Sequence, residues 1–166
     1  MVVLLLMLAC PALAQFRQIE VRFQDSGCAS CVESLQSRLQ RIRGVERVSA
    51  GAADGIVFLG VLLAGDNRVR LQQVRDFIEQ GGNRILTINV DLKGAIRREG
   101  ESYLVLPAGG PQSYPIDLSA LGGEGRKLLS GASPDAVFRL EGDLIRPAPG
   151  ASLPPIRVRG LARLDN

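Results

Sequence analysis

Residues Phe16-Arg17-Gln18-Ile19-Glu20-Val21-Arg22-Phe23 alternate apolar and polar side chains with a period of two, the pattern of a strand with one buried face. From Cys31 onward the period lengthens. Val32, Leu35, Leu39 and Ile42 recur at helical spacing, Glu33, Gln36, Arg38, Gln40 and Arg41 occupy the other faces, and Gly44 ends the run, which predicts an amphipathic helix. Val45 to Ala50 and Ile56 to Leu63 are β-rich runs joined by Gly51-Ala52-Ala53-Asp54-Gly55, and predict an antiparallel hairpin. A second helix is expected over Val69 to Gln80, where Leu71, Val74 and Ile78 share a face and Gly81-Gly82 stops it. Ile85, Leu86, Ile88 and Val90 then read as another strand, so the expected order is βαββαβ.

Proline placement divides the chain into two parts. After Pro11 none occurs until Pro107, and seven more appear by Pro155, so a regular first part gives way to a turn-rich second part with a boundary near residues 90 to 96. Strands are expected near 95 to 98, 101 to 106, 112 to 117, 136 to 145 and 155 to 164, with a short helix over Glu124 to Leu129. Three strands, a helix and two strands is the order of a small OB-like barrel, with sandwich arrangements left open. The expectation is an α+β chain in which a ferredoxin-like domain, residues 15–91, is followed by a small all-β, OB-like domain, residues 92–166.

Composition narrows the chemistry. The 166 residues are 46% hydrophobic, enough for packed cores, and 20 basic residues stand against 17 acidic ones without runs, so no polyanion-binding stripe is visible and no nucleic acid is expected as a partner. There is no histidine, which removes Ser-His-Asp and Cys-His catalysis and any His-ligated zinc site. Residues Met1 to Ala14 carry no charge and end in Ala12-Leu13-Ala14, the small-x-small pattern of a signal peptide, 1–14, cleaved before Gln15. Export to the periplasm or the outside is therefore expected. Met7-Leu8-Ala9-Cys10 offers the alternative of a lipoprotein, in which Cys10 would carry the membrane anchor. Both methionines lie in this segment, so its removal leaves Cys28 and Cys31 as the only soft ligands.

These two thiols stand in Gly27-Cys28-Ala29-Ser30-Cys31, after the first strand and at the start of the first helix. The unpaired N–H groups of a helix N-terminus favour negative charge, so the pair is expected to ionise readily and offer thiolates. Thiolates select Cu(I), Zn(II), Cd(II) or Hg(II) over hard cations. Two ligands suit linear Cu(I) or Hg(II) better than four-coordinate Zn(II), and Cu(I) is the favoured ion. Asp25 is a candidate oxygen ligand, although a carboxylate at a strand end is more commonly solvated or capping.

The stretch Asp25-Ser26-Gly27-Cys28-Ala29-Ser30-Cys31-Val32, with Gly44-Val45-Glu46-Arg47-Val48 after it, resembles the heavy-metal-associated domain of copper chaperones and metal-transporting P-type ATPases over about residues 16–91. The resemblance implies a βαββαβ fold, metal held by Cys28 and Cys31, and hand-over to a metal-accepting protein with its own CxxC. Asp25, Ser26 and Gly27 replace the Gly-Met-Thr or Gly-Met-His that usually precedes the first cysteine. Asn83 and Arg84 stand where bacterial members often have a tyrosine. Only Cys28 and Cys31 are carried over.

Three other readings compete with a non-enzymatic metallochaperone or metal-sequestering protein. A thiol-disulfide redox protein would use the same CxxC, but the first part has no proline to supply the cis-proline of thioredoxin-like sites. A structural disulfide would close only a tiny loop and stabilise little; its reversible formation would instead block metal binding. A degenerate domain acting as an interaction module is the third. Tyr103, Tyr114 and Phe138 are expected to pack within the second part, and Arg97, Arg98, Arg157 and Arg159 to form solvated faces.

Overall fold

The computed structural model describes residues 16–24, 29–65, 67–107, 112–133, 136–145 and 153–164. The expected signal peptide with Cys10, and the segment carrying Asp25 and Cys28, lie outside these residues. In chain order the described elements are β1 (Phe16–Gln24), α1 (Ala29–Gln40), β2 (Val45–Ala53), β3 (Ile56–Leu63), α2 (Leu71–Glu79), β4 (Arg84–Glu99), β5 (Ser102–Pro107), β6 (Tyr114–Asp117), α3 (Gly123–Ser130), β7 (Val137–Leu144) and β8 (Ile156–Leu164).

Local chemistry sets the ends of these elements. The β2–β3 hairpin is tighter than the five-residue loop expected from sequence: Ala53 pairs with Ile56, and the two residues between them, Asp54 (φ 52°) and Gly55 (φ 73°), both take positive φ. Asp-Gly is the pair that tolerates this two-residue turn. Beyond α1 the chain reverses at Gly44 (φ 93°), where a side chain would also collide with Asn67. Asn67 is itself buried and donates to the carbonyls of Phe16 (2.7 Å) and Ala64 (2.6 Å), tying that reversal to the start of β1.

All eight described strands form one sheet in the order β2-β3-β1-β4-β5-β6-β8-β7. α1 and α2 cover one face of its first four strands. Leu35, Leu39, Leu71, Val74 and Ile78 are buried beside Ile19, Val21, Phe23, Leu59 and Val61, each contributing roughly 1.5–3 kcal/mol by removal from water. A further pairing of β4 with β7, from Asn89↔Asp143 to Ala95↔Val137, closes β4-β5-β6-β8-β7 into a five-stranded barrel. Its one parallel contact is Ile116↔Ile156 and Asp117↔Arg157, between β6 and β8.

The expected fold class is corrected here. The molecule is mostly β, a closed five-stranded barrel with extra strands, and not a ferredoxin-like βαββαβ sandwich followed by a separate OB-like domain. The physical reason lies in β4. Ile88, Val90, Leu92, Gly94 and Ile96 are buried on one face of a single 16-residue strand, so the alternation runs through the expected boundary at 91/92. The N-terminal half of β4 pairs with β1, its C-terminal half pairs with β5, and its middle pairs with β7. The buried residues form one continuous cluster from Phe16 to Val158. At its edge, Phe16 of β1 meets Tyr114 of β6 edge-on, ring centroids 5.8 Å apart. Burial pushes the Tyr114 phenol above its usual range, against a smaller opposing pull from Arg70.

Gly94 marks where one edge of β4 passes from β1 to β5. A Cβ there would strike the Leu106 carbonyl on β5, so the close approach of these two strands requires glycine.

Candidate thiol site

The site is built on the end of the sheet where β1 stops. Gln24, the last residue of β1, pairs with Ile56 at the start of β3 and with Arg84 at the start of β4. Beyond a short connection α1 begins, and Cys31 lies in its first turn, partly exposed. Leu35 and Leu39 follow it at i+4 and i+8 and are buried, and Val32 packs against the core, so Cys31 lies on the core-facing side of α1, at its partly exposed end.

Cys31 is disulfide-bonded. Its partner falls outside the described residues, as do both of the chain's other cysteines, Cys10 and Cys28. A disulfide sulfur is no thiolate. Two electrons and two protons convert the bridge into two thiols, and only their deprotonated forms coordinate a metal. Among the described residues no group of three or more His, Cys, Asp or Glu side chains converges, so they supply no oxygen or nitrogen cage beyond the cysteines.

Asn83 and Arg84 have separate roles. Asn83 is buried, and its amide donates to the Ile78 carbonyl in the last turn of α2 (3.2 Å); it finishes a helix. Arg84 is exposed, opposite Gln24, and puts a guanidinium at the strand end that leads into the cysteine segment.

Other sequence candidates are accounted for by packing and pairing. Tyr114 and Phe138 are buried, and Tyr103 packs against the core. Arg157 and Arg159 are exposed and each meets an acid, Asp117 at 3.5 Å and Asp143 at 3.1 Å. Arg98 donates to the Gly100 carbonyl (2.9 Å).

One cluster escaped sequence reasoning. Asp91 of β4, its side chain 14% exposed, accepts from both Nε (3.1 Å) and Nη2 (2.8 Å) of Arg139 on β7, and Arg139 also reaches Glu141 at 3.2 Å. The Asp91 hydrogen bonds, followed by its charge, raise the Arg139 pKa. The partners lie 48 residues apart, and only the β4–β7 register brings them together. This is a seam of the barrel, with each charge answered.

No helix of the described residues is long and apolar enough to cross a membrane. Comparison with models of known protein families gives no match, and comparison with curated proteins gives none either.

Proposed function

We propose that this protein is a non-enzymatic, exported carrier or sink for Cu(I), held by Cys28 and Cys31 when the pair is reduced and refused when it is oxidised. The observation that carries this reading is the disulfide at Cys31. A second sulfur must lie within bonding reach of the first turn of α1, and two sulfurs at one place are what a two-coordinate soft ion needs. The CxxC spacing and the likeness of Asp25–Val32 and Gly44–Val48 to heavy-metal-associated domains favour Cys28 as that partner. Hand-over then proceeds by ligand exchange with the cysteine pair of an accepting protein. Hg(II) fits the same geometry; Zn(II) and Cd(II) need further ligands.

Native mass spectrometry of reduced protein titrated anaerobically with Cu(I), beside a Cys28→Ser, Cys31→Ser variant and the oxidised parent, tests this. One Cu(I) retained against a competing chelator by the reduced parent alone is expected. Failure of the reduced parent to retain it would sink the proposal.

The disulfide also favours a second reading, a thiol redox protein. Redox titration against glutathione separates the two. A potential between about −270 and −180 mV belongs to catalytic dithiols, while a value below about −300 mV marks a structural bridge.

A further inference from the structure

β3 is apolar on both faces. Val57, Leu59, Val61 and Leu63 point into the core under α1 and α2, while Ile56, Phe58 and Leu62 alternate with them on the opposite side, where Phe58 is 40% exposed. An antiparallel strand with one solvated face ordinarily alternates apolar and polar side chains, yet β3 is apolar on both sides while among the described elements only one side of β2-β3-β1 is covered.

The uncovered face can be laid over a second copy in a self-complementary register. Val21 of β1 is paired with Leu59 of β3; one position to one side lie Arg22 and Phe58, and one position to the other lie Glu20 and Gly60. A two-fold axis laid in the plane of the face, perpendicular to the strands and passing over the Val21–Leu59 pair, sets each strand antiparallel over its own counterpart in a second molecule. Phe58 then meets Gly60 of the second copy, Arg22 meets Glu20, and Ile56 meets Leu62. Each contact occurs twice, as an isologous interface demands.

The surface relief fits this register. Gly60, with Ser49 beside it on β2, and Gly51, beside Phe58, line an open trough of 410 Å³ on this face. Phe58 is the knob, steadied from behind by Arg22, whose guanidinium carbon lies 5.0 Å from the ring centroid. The register also matches opposite charges, since Arg22 and Glu20 are both exposed on this face.

Association by the β2 edge is hindered by contrast. Gln40 donates to the Glu46 carbonyl (3.1 Å) and accepts from Val48 N–H (2.9 Å), and Gln36 donates to the Val48 carbonyl (3.0 Å). These side chains occupy backbone groups that an added strand would need.

We infer that the open face of β2-β3-β1 is the interface of a two-fold homodimer, with Phe58 of each copy seated over Gly60 of the other and Arg22 paired with Glu20. The inference is independent of what the cysteines bind. Three strands by four side-chain rows, roughly 14 by 24 Å, bury about 700 Å² over both partners, less than a standard specific interface and in the range of weak, transient association. The dimer is therefore weak and reversible.

Sedimentation equilibrium of the full chain under reducing conditions, where no intermolecular disulfide contributes, is the test. A monomer–dimer equilibrium is expected, weakened at least about 30-fold by Phe58→Glu and by Arg22→Glu. The double swap Glu20→Arg, Arg22→Glu restores it to within about threefold, because the exchanged charges still face each other across the axis. Far-UV circular dichroism checks that each variant is folded. A chain monomeric up to millimolar concentration overturns the proposal, as does a dimer indifferent to both single variants, or a swap that fails to rescue.

Discussion

The helix-covered strands and the barrel both have to hide one side of a pleated sheet, and they do so by opposite means. β2-β3-β1 borrow α1 and α2 as a lid, which leaves an open face and a free edge. The barrel curls until β4 meets β7, so its lid is itself and it has no comparable edge. The difference falls on function. The half that is not closed carries the thiol site at its end and exposed Phe58 on its face, while the closed half answers its charges internally, Asp91 with Arg139 and Asp117 with Arg157.

The largest effect on this contrast is expected from Leu92→Ala. Leu92 is fully buried in the part of β4 that both halves share, and its truncation should cost about 3 kcal/mol. Both tyrosines, Tyr103 and Tyr114, lie in the barrel and there is no tryptophan, so tyrosine fluorescence reports the barrel while far-UV circular dichroism reports the whole. Urea transitions seen by the two probes should coincide in parent and variant; separate midpoints would show two units that unfold independently.

Next comes Asp91→Ala, which strands Arg139 at the seam. With Asp91 86% covered but Arg139 40% exposed, a loss of about 2 kcal/mol is expected, below the value for a fully buried pair. A double-mutant cycle with Arg139→Ala should return most of it as coupling. Near-additive single losses would mean that the seam holds without this pair.

Gln40→Ala tests the free edge. Two hydrogen bonds to β2 vanish, for about 1 kcal/mol, and light scattering on storage should rise as the edge is uncovered. Gln36→Ala, which removes one bond, should do less. Equal behaviour of parent and Gln40→Ala in both assays would show that these glutamines do not guard the strand.

The smallest effect concerns acid. The Ser119 backbone N–H and hydroxyl, each 2.8 Å from the Asp117 carboxylate, and secondarily Arg157, hold its pKa below the ordinary value of 3.8. A depressed carboxylate adds stability above its unfolded-state pKa, and that stability is lost as the pH falls through the folded value. Asp117→Asn should therefore flatten the stability profile below about pH 4 and leave the Asp91–Arg139 seam untouched. An unchanged acid limb would remove Asp117 from the account.

Much of this architecture was legible along the chain because burial on one face writes its period into the sequence. β1, β3, α2 and α3 fall within a few residues of their expected positions, since each alternates or repeats cleanly between breakers. The fold class was not legible. The onset of prolines at Pro107 suggested a boundary, although Ile88, Val90, Leu92 and Ile96 keep strict alternation across it. A glycine forced by the approach of Leu106 looks the same in sequence as one that ends an element. At the site, Cys31 and its helix were readable from spacing, but its oxidised state was not, because a sulfur–sulfur bond leaves no trace in residue order. The Asp91–Arg139 seam was invisible for a related reason: strand register is a long-range property.

β4 also acts as a ruler. Its first residue, Arg84, stands at the end of the sheet that leads into the cysteines, and its last, Glu99, lies in the barrel. Sixteen residues of strand span at most about 50 Å, and the neighbours hydrogen-bonded along their length leave no joint at which they can fold back. The cysteine end of the sheet is thus kept at a set distance from the far end of the barrel, and a torque applied to one end is delivered to the other without slack.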